Sequence, residues 1–98
     1  MLREPNARIH LALTVLALGA SALLGLSGDD WRWILAMIAL VWIAEIVNTA
    51  LETLCDTLHP AQSEGIRIAK DLAAGAVLVA ACVAAAVGVL TFWPYLFQ

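Results

Sequence analysis

Three long apolar stretches, at about 9–26, 33–54 and 72–93, constrain this chain more than any other feature. A helix that crosses a bilayer needs roughly 20 apolar residues, with a range of about 17–25. All three stretches meet that length, the first near its short end. Composition argues against a soluble alternative. The chain is 63% hydrophobic and 13% charged, whereas soluble domains carry about 45–50% apolar and about 25% charged residues. In water such a chain would expose large apolar patches. Its 98 residues suffice for one domain. The expected fold is therefore an all-α integral membrane protein, a single unit over 1–98. Its three transmembrane helices, with polar extensions, are expected at about 9–26, 33–59 and 66–93.

The connections follow from turn chemistry. Gly28-Asp29-Asp30 reads as a tight turn between the first two helices. Pro60 stops the second helix, because proline blocks continuation and restricts the residue before it. The segment 61–69 is polar enough to be a loop, or a loop with a turn of helix. No small-x-small cleavage pattern follows the first apolar run, which ends in Gly25-Leu26-Ser27-Gly28-Asp29, so a cleaved signal peptide is not expected. Cys55 and Cys82 have no metal spacing and read as free, buried thiols. The net charge of −3, with no basic run, speaks against a nucleic-acid partner.

Positive charge gives an orientation. Arg3, Arg8, Arg67 and Lys70 flank the start of the first helix and the second connection, while Arg32 alone lies in the opposite connection. The positive-inside rule puts the N-terminus and the 56–70 loop of this multi-pass chain in the cytoplasm. Trp31, Trp33, Trp93 and Tyr95 fall at the other face as an interfacial belt, and Trp42, mid-helix, reads as packing. The third helix repeats small residues at Ala76, Ala80, Ala84 and Gly88. That pattern predicts close helix contacts in lipid, with oligomerisation supplying further walls.

The second helix carries the chemistry. At about 100° per residue, Glu45, Glu52 and Asp56 fall within about 40° of one another, with Asn48 about 60° to one side. An ionised group at a helix centre in lipid costs roughly 2.5–3.5 kcal/mol on the gentler insertion scale, so such residues are functional candidates. Glu52 lies about 28 Å along an ideal helix from Trp33, near the inner edge of the hydrocarbon, and Glu45 about 10 Å deeper. One acid thus meets water and the other meets lipid. A catalyst that joins a water-borne phosphate donor to a membrane-borne hydroxyl needs this division. The outer acid can bind a metal that neutralises phosphate oxygens. The deeper one can accept a proton from an alcohol, its basicity raised by burial. Asn48 can hydrogen-bond a phosphate or a metal-bound water. Glu4 and Arg8 approach from the same side. Lys70 can counter phosphate charge, and Asp71 can orient that lysine or a water on Mg²⁺. His10 and His59 lack spaced partners and read as interfacial or structural. No glycine-rich phosphate loop is present.

Glu45-Ile46-Val47-Asn48-Thr49-Ala50-Leu51-Glu52, then Asp56, then Ala69-Lys70-Asp71-Leu72-Ala73-Ala74-Gly75-Ala76-Val77, resembles the signature of the bacterial diacylglycerol kinase family. Glu4-x-Asn6-x-Arg8-Ile9-His10 resembles its upstream acidic motif, in the form of the undecaprenol kinase branch. The resemblance covers nearly the whole chain. It implies a homotrimer of three-helix subunits that phosphorylates a membrane lipid alcohol, undecaprenol or diacylglycerol, with ATP. It implies Glu45 as general base, Glu4 and Glu52 as holders of Mg²⁺ on ATP, and Asn48, Lys70 and Asp71 as nucleotide contacts. It further implies that the loop Ala61-Gln62-Ser63 borders the nucleotide and that Arg8 and His10 line the lipid entrance. Family members carry an amphipathic surface helix before the upstream glutamate. This chain has only Met1-Leu2-Arg3 there, so either the start is truncated or this member lacks that helix. The alternatives are a catalytically degenerate homologue and a small ion-coupled transporter with Glu45 as proton relay. The transporter leaves Glu4, Lys70 and Asp71 without a role.

Overall fold

The computed structural model describes residues 5–59, 61 and 63–97. Three helices follow in order: α1 Pro5–Leu24, α2 Gly28–Leu58 and α3 Glu64–Leu96. Each is long and apolar enough to cross a membrane. The bundle is 54 Å long, well beyond a hydrocarbon core of about 30 Å, so its ends reach past the apolar layer.

The first connection differs from the sequence expectation. Gly28, Asp29 and Asp30 do not form the turn; they are the first residues of α2. The chain reverses earlier, where Gly25 adopts a positive φ of 65°. Glycine takes that left-handed conformation without the Cβ clash other residues meet. Ser27 then caps α2, its side chain accepting from the Asp30 backbone N–H at 3.2 Å. Asp29 and Asp30 in the first turn complement the positive end of the helix dipole. Two acids that look like loop residues are therefore helix-start residues, and α2 begins about one turn before the position the apolar run suggests. At its other end α2 stops at Leu58, where His59 leaves the helical conformation (φ −145°, ψ 77°) and its N–H closes the last turn on the Cys55 carbonyl. Pro60 lies outside the described residues. Ser63 caps α3 by accepting from the Ile66 N–H at 3.2 Å, so α3 starts at Glu64, two residues before the expected start at about 66.

The interior is narrow and the exterior greasy. Leu23, Leu72 and Leu90 are 90%, 70% and 75% exposed; an aqueous surface would not carry such side chains in this density, and lipid is their solvent. Between helices in lipid, packing and hydrogen bonds hold the bundle together. α2 packs along α3, and α1 meets α2 over a shorter stretch. On α3, Ala80 is buried in the bundle, Ala84 and Gly88 are half-buried, and Ala76 faces outward. The small-residue surface thus serves packing inside the chain at Ala80. Cys55 is buried, but Cys82 lies exposed on α3, against the expectation of two buried thiols; both are free.

The end of the bundle opposite Lys70 is tied by Tyr95. Its hydroxyl donates to Asp30 Oδ2 at 2.5 Å and accepts from the Ser27 N–H at 3.1 Å. One side chain from the end of α3 thereby holds the α1–α2 turn and the first turn of α2. Tyr95→Phe removes both bonds and leaves the ring. A hydrogen bond to a charged group contributes about 1.5–3 kcal/mol. The variant is expected to lose stability in that range, seen as a lower unfolding midpoint in detergent; an unchanged midpoint would refute the tie.

Candidate active site

Helix geometry places the polar positions of α2 on its inward side. Glu45 is 2% exposed, Asn48, Thr49 and Glu52 are half-buried, and Asp56 is exposed. The stripe therefore runs from a dry end to a wet end. Glu45 does not sit alone. His10, from α1, brings Nε2 to 3.4 Å from Glu45 Oε2. The His10 ring lies against the Trp42 indole, with centroids 6.2 Å apart and planes at 59°. Trp42 Nε1 donates to Thr14 Oγ1 at 2.8 Å, and Thr14 Oγ1 donates to the His10 carbonyl at 2.7 Å. Trp42 thus packs, as expected from its mid-helix position, but against the histidine that meets the buried acid.

One turn along, Asn48 Nδ2 donates to Glu52 Oε1 at 3.3 Å. Asn48 Oδ1 and Thr49 Oγ1 are buried with no hydrogen-bond partner among the described residues. A buried polar atom left unmatched calls for a ligand, ion or water. Nearest the water edge, Lys70 Nζ reaches across from α3 to Asp56 Oδ1 at 2.6 Å. Asp56, expected only as the outermost member of the acidic stripe, is thereby the partner of Lys70. Of the two tasks expected of Asp71, orienting Lys70 or a water on Mg²⁺, the first has no contact among the described residues. Asp71 pairs with Arg67 at 3.1 Å, and Arg67 also pairs with Glu64. The reason is helical: residues 70 and 71 point about 100° apart, whereas residues 67 and 71 stack one turn apart on one face.

Of the remaining expected positions, Arg8, Ala61 and Ser63 fall at the same end of the bundle. Arg8 is exposed on α1. Ala61 and Ser63 lie in the connection; the Ala61 carbonyl is 2.6 Å from His59 Nδ1. Glu4 and Gln62 lie outside the described residues. Among the described residues no three His, Cys, Asp or Glu side chains converge as a metal cluster.

Beside His10 a cavity of about 350 Å³ opens among the three helices, walled by Thr14, Ile38, Val41, Ala84 and Gly88 as well as the histidine. Its walls are almost wholly apolar, and its polar corner is the His10–Thr14 edge. The cavity and the Thr14–Trp42 bond have a weak sequence signal, a His and a Thr four apart on an apolar helix.

The sequence model of prokaryotic diacylglycerol kinases matches residues 1–92. The chain belongs to this family. Among prokaryotic diacylglycerol kinase relatives, it is 42% identical over 86 residues to a protein of Synechocystis sp. named diacylglycerol kinase, covering 87% of this chain and 49% of that one. It is 34% identical over 93 residues to the undecaprenol kinase of Bacillus subtilis, covering 95% of this chain and 76% of that one. The chain thus spans about half the length of the first relative and about three quarters of the second. No solved structure matches it significantly.

Proposed function

We propose that this member of the family is a lipid kinase that transfers the γ-phosphoryl group of ATP to the hydroxyl of a membrane alcohol at the cytoplasmic face of the inner membrane. The observation that carries the reading is the gradient along one helix face. A carboxylate 2% exposed, Glu45, lies in line with the Asn48–Glu52 pair and the Lys70–Asp56 pair nearer water. The names of the two relatives support the same reading for the acceptor, undecaprenol or diacylglycerol. The Asn6-x-Arg8-Ile9-His10 form favours undecaprenol.

In this reading the roles divide by depth. Glu45 takes the proton of the lipid hydroxyl while its oxygen attacks the γ-phosphorus. The new O–P bond forms as the bond to the β-phosphate oxygen breaks, and ADP leaves. Lys70 offers a point cation to the phosphates, and Asp71 and the Ala61-Gln62-Ser63 connection border them. Arg8 stands at the lipid side. Glu52 and the unmatched Asn48 Oδ1 are hard oxygen donors, a set that suits a divalent cation which keeps waters and phosphate oxygens among its ligands; Glu4 would add a second carboxylate. Mg²⁺ held there would neutralise phosphate charge. Phosphoryl transfer depends chiefly on such positioning and electrostatics.

A homotrimer is part of the proposal. α1 covers α2 over only a short stretch, and the stripe needs walls that one chain does not provide. The decisive experiment is a transfer assay with labelled ATP against a panel of lipid alcohols in mixed micelles. The expected result is labelled lipid phosphate from undecaprenol, diacylglycerol or both; no labelled lipid from any alcohol would end the kinase reading.

A further inference from the structure

The division of roles above leaves one close contact unused. We propose that His10 is a positioning residue for Glu45: its Nε2 holds one carboxylate oxygen and leaves the other to receive the proton of the alcohol. The inference rests on the kinase reading of the site.

Glu45 has lost its water. At 2% exposure an ionised carboxylate needs a partner, because desolvation without one is costly. Nearer the water edge, Lys70 pairs with Asp56 and Arg67 with Glu64 and Asp71. His10 Nε2 lies 3.4 Å from Oε2, within ion-pair range. A carboxylate oxygen accepts, so the role proposed for the histidine is that of a donor on Nε2.

The imidazole is itself held. Thr14 accepts from Trp42 and donates to the His10 carbonyl, which uses its one hydroxyl proton and a lone pair. Trp42 also lies against the His10 ring. One indole thus braces the histidine through its backbone and its ring, and does so from α2, the helix that carries Glu45. The brace matters because a reacting group must be held within about 0.5 Å of its productive place. In the proposed step the alcohol O–H bond breaks and its proton goes to the unheld oxygen of Glu45. His10 keeps its own proton throughout, so the histidine acts only through the glutamate.

The test is a cycle of His10→Leu, His10→Gln and Trp42→Phe, each made in the native chain and in Glu45→Gln. kcat and the KM for ATP are measured with the best lipid acceptor in micelles. A misplacement of about 1 Å costs up to about 100-fold. His10→Leu is therefore expected to lower kcat by about 10- to 100-fold with KM for ATP unchanged. His10→Gln, whose amide nitrogen reaches the place of Nε2, is expected to recover most of that loss. Trp42→Phe is expected to lower kcat less than His10→Leu and keeps the test open if the leucine variant does not fold. In the Glu45→Gln background none of the three should lower kcat further. Equal losses in both backgrounds, a glutamine variant as poor as leucine, or a loss carried by KM for ATP would each overturn the inference. A native chain that transfers no phosphate would overturn the kinase reading instead, so the two failures are distinguishable.

Discussion

Glu52→Gln is expected to reduce phosphate transfer by roughly 10³-fold, the upper range for removing one preorganised electrostatic contact in a reaction of this kind. The side chain is half-buried on α2 and accepts from Asn48 Nδ2 at 3.3 Å. Glutamine keeps the size and an oxygen but removes the negative charge. The glutamine oxygen can still accept from Asn48, so the helices should remain folded. What is lost is the anionic oxygen that a hard divalent cation needs. The signature lies in the metal dependence: the half-maximal Mg²⁺ concentration should rise steeply, and residual turnover should return in part at high Mg²⁺. Near-normal turnover at low Mg²⁺ would show that Glu52 holds no metal.

Glu45→Gln should act on another quantity. Glu45 lies about 10 Å along the helix from Glu52, too far for one cation to bridge both. General-base catalysis contributes typically about 10²–10⁴-fold. Turnover should fall by about that factor, while the affinity for ATP with Mg²⁺ stays close to the native value. A parallel loss of nucleotide affinity would place Glu45 on the nucleotide and remove it as the base. The contrast between the two variants is the stronger test, since one shifts the metal dependence and the other the turnover at saturating metal.

The helices and the acidic stripe were legible in the sequence because both are one-dimensional. Twenty apolar residues in a row leave few alternatives in lipid, and an angle of about 100° per residue aligns Glu45 with Glu52 on paper as in space. The helix start was misplaced where local turn chemistry outweighed hydropathy: Gly25 made the reversal and Ser27 the cap, so Asp29 and Asp30 joined α2. The pairings were a different matter. Lys70 with Asp56 and His10 with Glu45 depend on the register between two helices, which no pattern within one helix encodes. Lys70 and Asp71 are neighbours in sequence, but a helix points them about 100° apart, and their partners come from elsewhere.

Tyr95 gives the bundle a fulcrum. Its hydroxyl pins the start of α2 to the end of α3, while 25 positions separate Ser27 from Glu52, or about 37 Å of helix. With one end fixed, α2 is a lever arm of that length. A tilt of about 5° at the tyrosine sweeps Glu52 sideways by about 3 Å, as far as a hydrogen bond is long. The membrane face remote from the chemistry thereby sets the angular tolerance of the face that performs it.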